Sequence, residues 1–233
     1  YHINPDMFEQ AFRPYAEAGE QVLYLCFSTG IAATYNAANL ALETVREEYP
    51  DFDLTIVDSR CASAGFGLLV TYLLQLQAKG AGKETLVEAA MFYREHIRHI
   101  FTVETLDYLI KGGRISKTKG GIAKTLDIKP ILTVNKEGSL EIYKLVRGRK
   151  KSLSALVDFL LQEGDKPEAQ TVAICHGAAP EAVDILLRHA GDRIQDTLIS
   201  QVGCAIGAHT GKGIVGVCFL DAPDPYREYK GEE

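Results

Sequence analysis

Apolar positions in the first hundred residues follow two patterns in turn. Residues 22–27 are a short, continuous apolar run, and 54–57 a second one interrupted only by Thr55, as expected of strands covered on both faces. Between them Ile31, Tyr35, Ala38, Leu42 and Val45 recur at helical spacing along one face. Asn4-Pro5-Asp6 opens an earlier helix, which Gly19 stops. Further helices are predicted over 62–78 and 84–98, and a third strand over 100–103. Strands alternating with helices predict a parallel sheet with helices on both faces.

The texture changes after residue 103. Gly112-Gly113 ends a short helix predicted over 105–110. The β-rich runs 128–134 and 140–146 flank Asn135-Lys136-Glu137-Gly138, a hairpin signal. A helix is predicted over 152–162, a strand over 171–175, a helix from Pro180 to residue 189, and a last strand over 214–220. An acidic tail, expected to fray, follows. These changes divide the chain into an N-terminal α/β domain, 1–103, and a C-terminal α+β domain, 104–233, with a mixed or antiparallel sheet.

Residues 21–42 and 61–78 carry no charge, but the first contains Ser28, Thr29, Asn36 and Asn39, and the second two glycines and two glutamines. Neither reads as a membrane span. No basic segment followed by an apolar one marks a signal peptide at the N-terminus. The composition is that of a globular protein: 233 residues, 46% hydrophobic and 24% charged. The net charge of −6 argues against broad binding to nucleic acid. Five widely spaced cysteines without a C-x-x-C motif predict a reduced, cytoplasmic protein with neither a disulfide framework nor a zinc site.

Three segments carry candidate chemistry. Ser28-Thr29-Gly30 lies between a strand and a helix, where hydroxyls and free N–H groups suit an anion or simply cap the helix. Lys111-Gly112-Gly113-Arg114 combines a tight turn with a planar guanidinium fork for an oxyanion; it equally reads as a helix stop with a solvated arginine. The segment from Gly203 to Gly213 is a glycine-framed loop that presents His209. It is not a phosphate-binding Walker loop, because Gly207 to Gly211 is one residue short and Gly213 replaces the required Ser or Thr. Cys175 and His176, adjacent on a strand, point to opposite faces, so Cys175 reads as a small buried residue. Arg147, Arg149, Lys150 and Lys151 form a basic run that is either a solvated helix start or a docking patch for an acidic partner.

In this order, the segments resemble the DegV family of bacterial fatty-acid-binding proteins. The matching stretches are Phe27 to Ala38, Val57-Asp58-Ser59, Thr105 to Ser116, Ile128 to Leu132, Lys144 to Arg147 and His209-Thr210-Gly211. Gly-Gly-Arg-Ile-Ser at 112–116 followed by Ile-Lys-Pro-Ile-Leu at 128–132 is the most specific pair. The resemblance implies a two-domain α/β protein that holds a long-chain fatty acid between its domains. It implies a carrier subunit, not catalytic alone, that presents the carboxylate to a separate ATP-dependent kinase subunit. That subunit makes an acyl phosphate for phospholipid synthesis. No metal or cofactor is implied beyond the bound fatty acid.

Carried over residue by residue, the ligand site comprises Ser28, Thr29, Gly30, Ala32, Arg114, His209 and Thr210. Arg147, Arg149, Lys150 and Lys151 become the docking patch for the kinase. The family reads Ser-Ser-x-x-Ser-Gly-Thr where this chain has Ser28 to Thr34. Ala32 replaces the third hydroxyl, which leaves only its backbone N–H for the ligand. The N-terminal domain is also expected to lack the family's first strand and helix. The alternative is a phosphotransferase-like enzyme acting on a small anionic metabolite, with Ser28, Arg114 and His209 as its anion site. A nucleic-acid regulator using the basic run ranks last, given the net charge.

Overall fold

The computed structural model describes residues 3–116 and 127–231. The chain forms α1 (Pro5–Glu17), β1 (Val22–Cys26), α2 (Thr34–Glu48), β2 (Leu54–Asp58), α3 (Ser63–Ala78), α4 (Lys83–His96) and β3 (Ile97–Thr102). It continues through α5 (Asp107–Lys111), β4 (Ile128–Val134), β5 (Leu140–Arg147), α6 (Arg149–Glu163) and β6 (Thr171–His176). The last elements are α7 (Pro180–Ala190), β7 (Asp196–Gln201), α8 (Cys204–Thr210) and β8 (Val215–Leu220).

β1 and β2 pair in parallel. The other strands form a six-stranded mixed sheet in the order β5-β4-β3-β8-β6-β7, in which β6 and β7 are parallel and the remaining pairs antiparallel. The predicted α/β class, with a parallel N-terminal sheet and a mixed C-terminal one, is what the chain adopts. One strand changes sides. β3, expected as the third strand of the first sheet, lies antiparallel between β4 and β8 in the larger one. The division at residue 103 therefore does not separate the sheets. A strand's partner is set by tertiary packing, and its local pattern does not carry it.

Each sheet has its own helical cover. Asn4 caps α1 by accepting the Met7 N–H at 3.0 Å. Phe8, Phe12 and Ala16 then bury one stripe of α1 against Ala38, Ala41, Leu42 and Val45 of α2. α3 is apolar nearly all round because it is covered on two sides. Leu68, Leu69, Tyr72 and Leu73 share one core with Leu23 and Leu25 of β1 and with Ala173 and Cys218 of the larger sheet. α6 and α7 cover the opposite face through Leu156, Leu160, Val183 and Leu186. β8 is therefore buried along its whole length.

Two further expectations change. The segment 204–210, expected as a loop, is α8, and β7 is a strand the pattern did not mark. The acidic tail packs instead of fraying. Tyr226 and Tyr229 rest on the α3 core, and the Tyr93 hydroxyl donates to Asp224 at 3.0 Å. The tail's last residues, 232 and 233, lie outside the described residues. No described helix is long and apolar enough to cross a membrane.

Candidate functional site

The loop after β1, the turn after α5, the β4–β5 hairpin and α8 meet around the inner strands of the larger sheet. Ser28 sits fully buried in the first of these, and its Oγ donates to the Gly138 carbonyl at 2.7 Å. Gly30 lies against the same hairpin so closely that a Cβ would collide with the Gly138 backbone, which only glycine avoids. Thr29 donates its N–H and its hydroxyl to Asp58 at 3.1 and 2.7 Å. The Ala32 N–H, expected to serve a ligand, donates to the Ser28 carbonyl at 2.9 Å inside its own turn.

The paired glycines after α5 have separate tasks. Gly113 takes φ +73°, which turns the chain back, while Gly112 leaves room for the His209 ring against its backbone. Arg114 then points toward the first loop. Its Nε donates to the Ile31 carbonyl at 3.2 Å and its Nη1 to the Gly112 carbonyl at 2.6 Å, so its plane is held from both sides. Burial and the Arg114 charge push the His209 imidazole below its ordinary pKa. Near neutral pH His209 is thus an uncharged hydrogen-bonding group beside a fixed cation. Thr210 is buried and donates to the Ile206 carbonyl at 3.0 Å.

Below these groups lies a chamber of about 480 Å³ with an overwhelmingly apolar lining. Ala32, Arg114, His209 and Thr210 line it, together with Phe27 and Ile31 of the first loop. Part of its wall comes from residues that the sequence did not mark for a ligand: Ser63, His99, Phe101, Cys175, Gly216 and Cys218. Ala205 and Ile206 of α8 close it on another side. Burial pushes the His99 pKa down to about 4, and its Nε2 accepts the Ala62 N–H at 3.2 Å. Burial also raises the Cys175 and Cys218 thiols. His99, Cys175 and Cys218 are therefore uncharged near neutral pH, which leaves Arg114 as the charge on this wall.

The remaining candidates fall elsewhere. Ser28 lines no part of this chamber, and Thr29 and Gly30 border a separate one of mixed lining, of about 330 Å³, that shares Ile31, Ala32 and Arg114 with it. The basic run spans the end of β5 and the start of α6. Arg147, Lys150 and Lys151 are exposed, but Arg149 turns inward to the Gly213 carbonyl and to Glu104, 3.2 Å away. His176 faces away from the chamber, and its Nδ1 accepts the Ala179 N–H at 3.2 Å. Among the described residues no group of three or more His, Cys, Asp or Glu side chains is placed to hold a metal ion.

Comparison with known proteins gives a consistent picture. The family model described as "Uncharacterised protein, DegV family COG1307" matches residues 2–222. The DegV domain-containing protein CPE0026 of Clostridium perfringens is 38% identical over 226 residues, covering 96% of this chain and 78% of that protein. A structure described as fatty acid binding of a DegV family protein from Thermus thermophilus is 26% identical, with a TM-score of 0.84. It covers 95% of this chain and 78% of that one. A DegV family protein from Ruminococcus gnavus, refined with vaccenic acid, is 25% identical with a TM-score of 0.83, covering 93% and 77%.

Proposed function

The chain belongs to the DegV family, and on that premise we propose that it binds one long-chain fatty acid in the apolar chamber, carboxylate toward Arg114 and His209. The observation that carries this reading is the chamber itself: about 480 Å³ of apolar lining with a fixed cation and an uncharged imidazole at its border. Burying an acyl tail yields roughly 0.8 kcal/mol per methylene, so a dozen methylenes supply enough to hold the ligand. The carboxylate must not be buried bare, and a guanidinium fork with a neighbouring imidazole donor meets that need.

The protein is a carrier rather than a catalyst on its own. It presents the carboxylate to a separate ATP-dependent kinase subunit, which docks on exposed Arg147, Lys150 and Lys151 and forms the acyl phosphate that feeds phospholipid synthesis. The kinase rests on the family resemblance, and the docking patch on its exposure and charge. An apolar chamber of this kind suits a hydrocarbon better than the small anionic metabolite of the phosphotransferase alternative. The five cysteines are all free thiols, which fits the reducing cytoplasm.

Native mass spectrometry tests the reading. Protein purified gently from a bacterial host should carry an added mass equal to a fatty acid, exchangeable for a supplied one. Protein that carries none and takes up none would remove the carrier function.

A further inference from the structure

The apolar chamber has a neighbour of mixed lining, and Arg114 is the charged side chain that borders both. The second cavity, about 330 Å³, is bordered by Thr29, Gly30, Ala33, Tyr35 and Asn36, and it shares Ile31, Ala32 and Arg114 with the first. It holds far more than the roughly 30 Å³ of a single water. Its lining is about evenly polar and apolar, unlike that of the first chamber, so it is a poor continuation of an acyl tail's path. A carboxylate, with only two oxygens, is anchored at Arg114 without needing such a space.

The donors facing this second cavity suit an anion larger than a carboxylate. Arg114 brings a positive charge whose plane is fixed by the Ile31 and Gly112 carbonyls. Asn36 is exposed at the border and brings an amide, and Tyr35 brings a phenol. The nearby Asp58 carboxylate is occupied: it accepts from the Thr29 N–H and hydroxyl and from the Arg60 N–H. Its charge is thereby partly compensated by donors of its own.

We infer that this second chamber receives the phosphoryl group when the bound carboxylate becomes an acyl phosphate. The inference rests on the fatty-acid reading above. In the reaction, a carboxylate oxygen attacks the γ-phosphorus of a nucleoside triphosphate held by the kinase subunit. A new carboxyl O–P bond forms. The bond from phosphorus to the bridging oxygen breaks, and its electron pair leaves with the nucleoside diphosphate. Arg114, in the wall common to both chambers, holds the carboxylate before transfer and faces the added phosphoryl group after it. The product keeps its tail in the apolar chamber and its new charge in the second one, beside Arg114.

The test uses two ligands of one chain length, the free fatty acid and a 2-oxoalkylphosphonate, in which a methylene replaces the bridging oxygen of the acyl phosphate. Calorimetry measures both on the wild-type chain and on Asn36→Asp, whose added negative charge stands beside the second chamber. Asn36→Asp should weaken the phosphonate about tenfold or more and leave the acid nearly unchanged, and Asn36→Gln, which keeps the amide, should restore phosphonate binding. Equal effects on both ligands, or no effect on the phosphonate, overturn the assignment. A wild-type chain that binds the acid but not the phosphonate also overturns it, while the fatty-acid reading stands. A wild-type chain that binds neither removes that reading, and the inference falls with it.

Discussion

Ser28 Oγ donates to the Gly138 carbonyl at 2.7 Å across 110 residues of sequence, and this buried bond ties the loop after β1 to the β4–β5 hairpin. Neither residue lines a chamber. Ser28→Ala would leave a buried carbonyl unpaired, at a cost of about 1–3 kcal/mol. The expected outcome is a lower denaturation midpoint with fatty acid affinity little changed. An affinity that collapses while the midpoint holds would return Ser28 to the ligand.

Arg114 should behave in the opposite way. Arg114→Ala removes a charged pair with the carboxylate and is expected to weaken the free acid about tenfold or more. Binding of the methyl ester, which has no charge to pair, should change little. Arg114→Lys should not restore the acid, because an ammonium lacks the two-pronged geometry. Equal losses for acid and ester would mean that Arg114, through the Ile31 and Gly112 carbonyls, chiefly holds the fold.

Arg114 was legible in the sequence because its signal is local: two glycines, then an arginine. The same holds for the loop after β1, which sits between a strand and a helix. His209 was legible as a residue but not as an element. α8 is seven residues long and includes a glycine, so its helix depends on packing against α5 rather than on propensity. β7 is an edge strand with five of its six residues exposed, so burial left no periodic mark on it. The rest of the chamber wall could not be read as such. Ser63, His99, Cys175 and Cys218 come from four elements, and only the pairing of β3 and β6 with β8 brings them together.

Cys175 gives access to the choice of acyl length. It is buried in β6 and borders the chamber, and its Sγ lies against Gly216. Cys175→Phe takes volume from the chamber. Each methylene excluded should cost about 0.8 kcal/mol, so losing two or three is worth roughly tenfold or more in affinity. Long acids should weaken by that amount while acids a few carbons shorter hold their affinity. A uniform loss at every length would show that the variant perturbs β6 instead.

His99 links stability to pH. Burial lowers its pKa from 6.5 to about 4 in the fold, so between these values the unfolded chain binds the extra proton. Its contribution is fully present above about pH 6.5, declines as the pH falls toward 4 and is then lost, with an upper bound on the order of 3 kcal/mol. Denaturant melts across this window should show the decline. His99→Gln, whose amide oxygen can still accept the Ala62 N–H, should flatten it. An unchanged slope in that variant would assign the acid sensitivity to other groups.

The basic run makes the last prediction. Arg147 ends β5, and the three cations that follow in the first turn of α6 oppose the helix dipole, so their placement does not serve the helix. Arg149 has a structural use, since Glu104 and the Gly213 carbonyl hold it. Arg147, Lys150 and Lys151 stay exposed, and an isolated surface charge adds little to stability. Arg147→Glu should therefore leave the melting temperature and fatty acid binding nearly unchanged. It should slow acyl phosphate formation with the cognate kinase at low salt, because reversing a charge on a docking surface lowers the rate of encounter. The deficit should shrink as ionic strength rises and the screening length falls from ~10 Å at 0.1 M to ~3 Å at 1 M. Arg149→Glu should differ in kind, lowering the melting temperature by breaking the contact with Glu104. Normal turnover by Arg147→Glu at low salt would place these three residues on a merely solvated face and move the docking surface elsewhere.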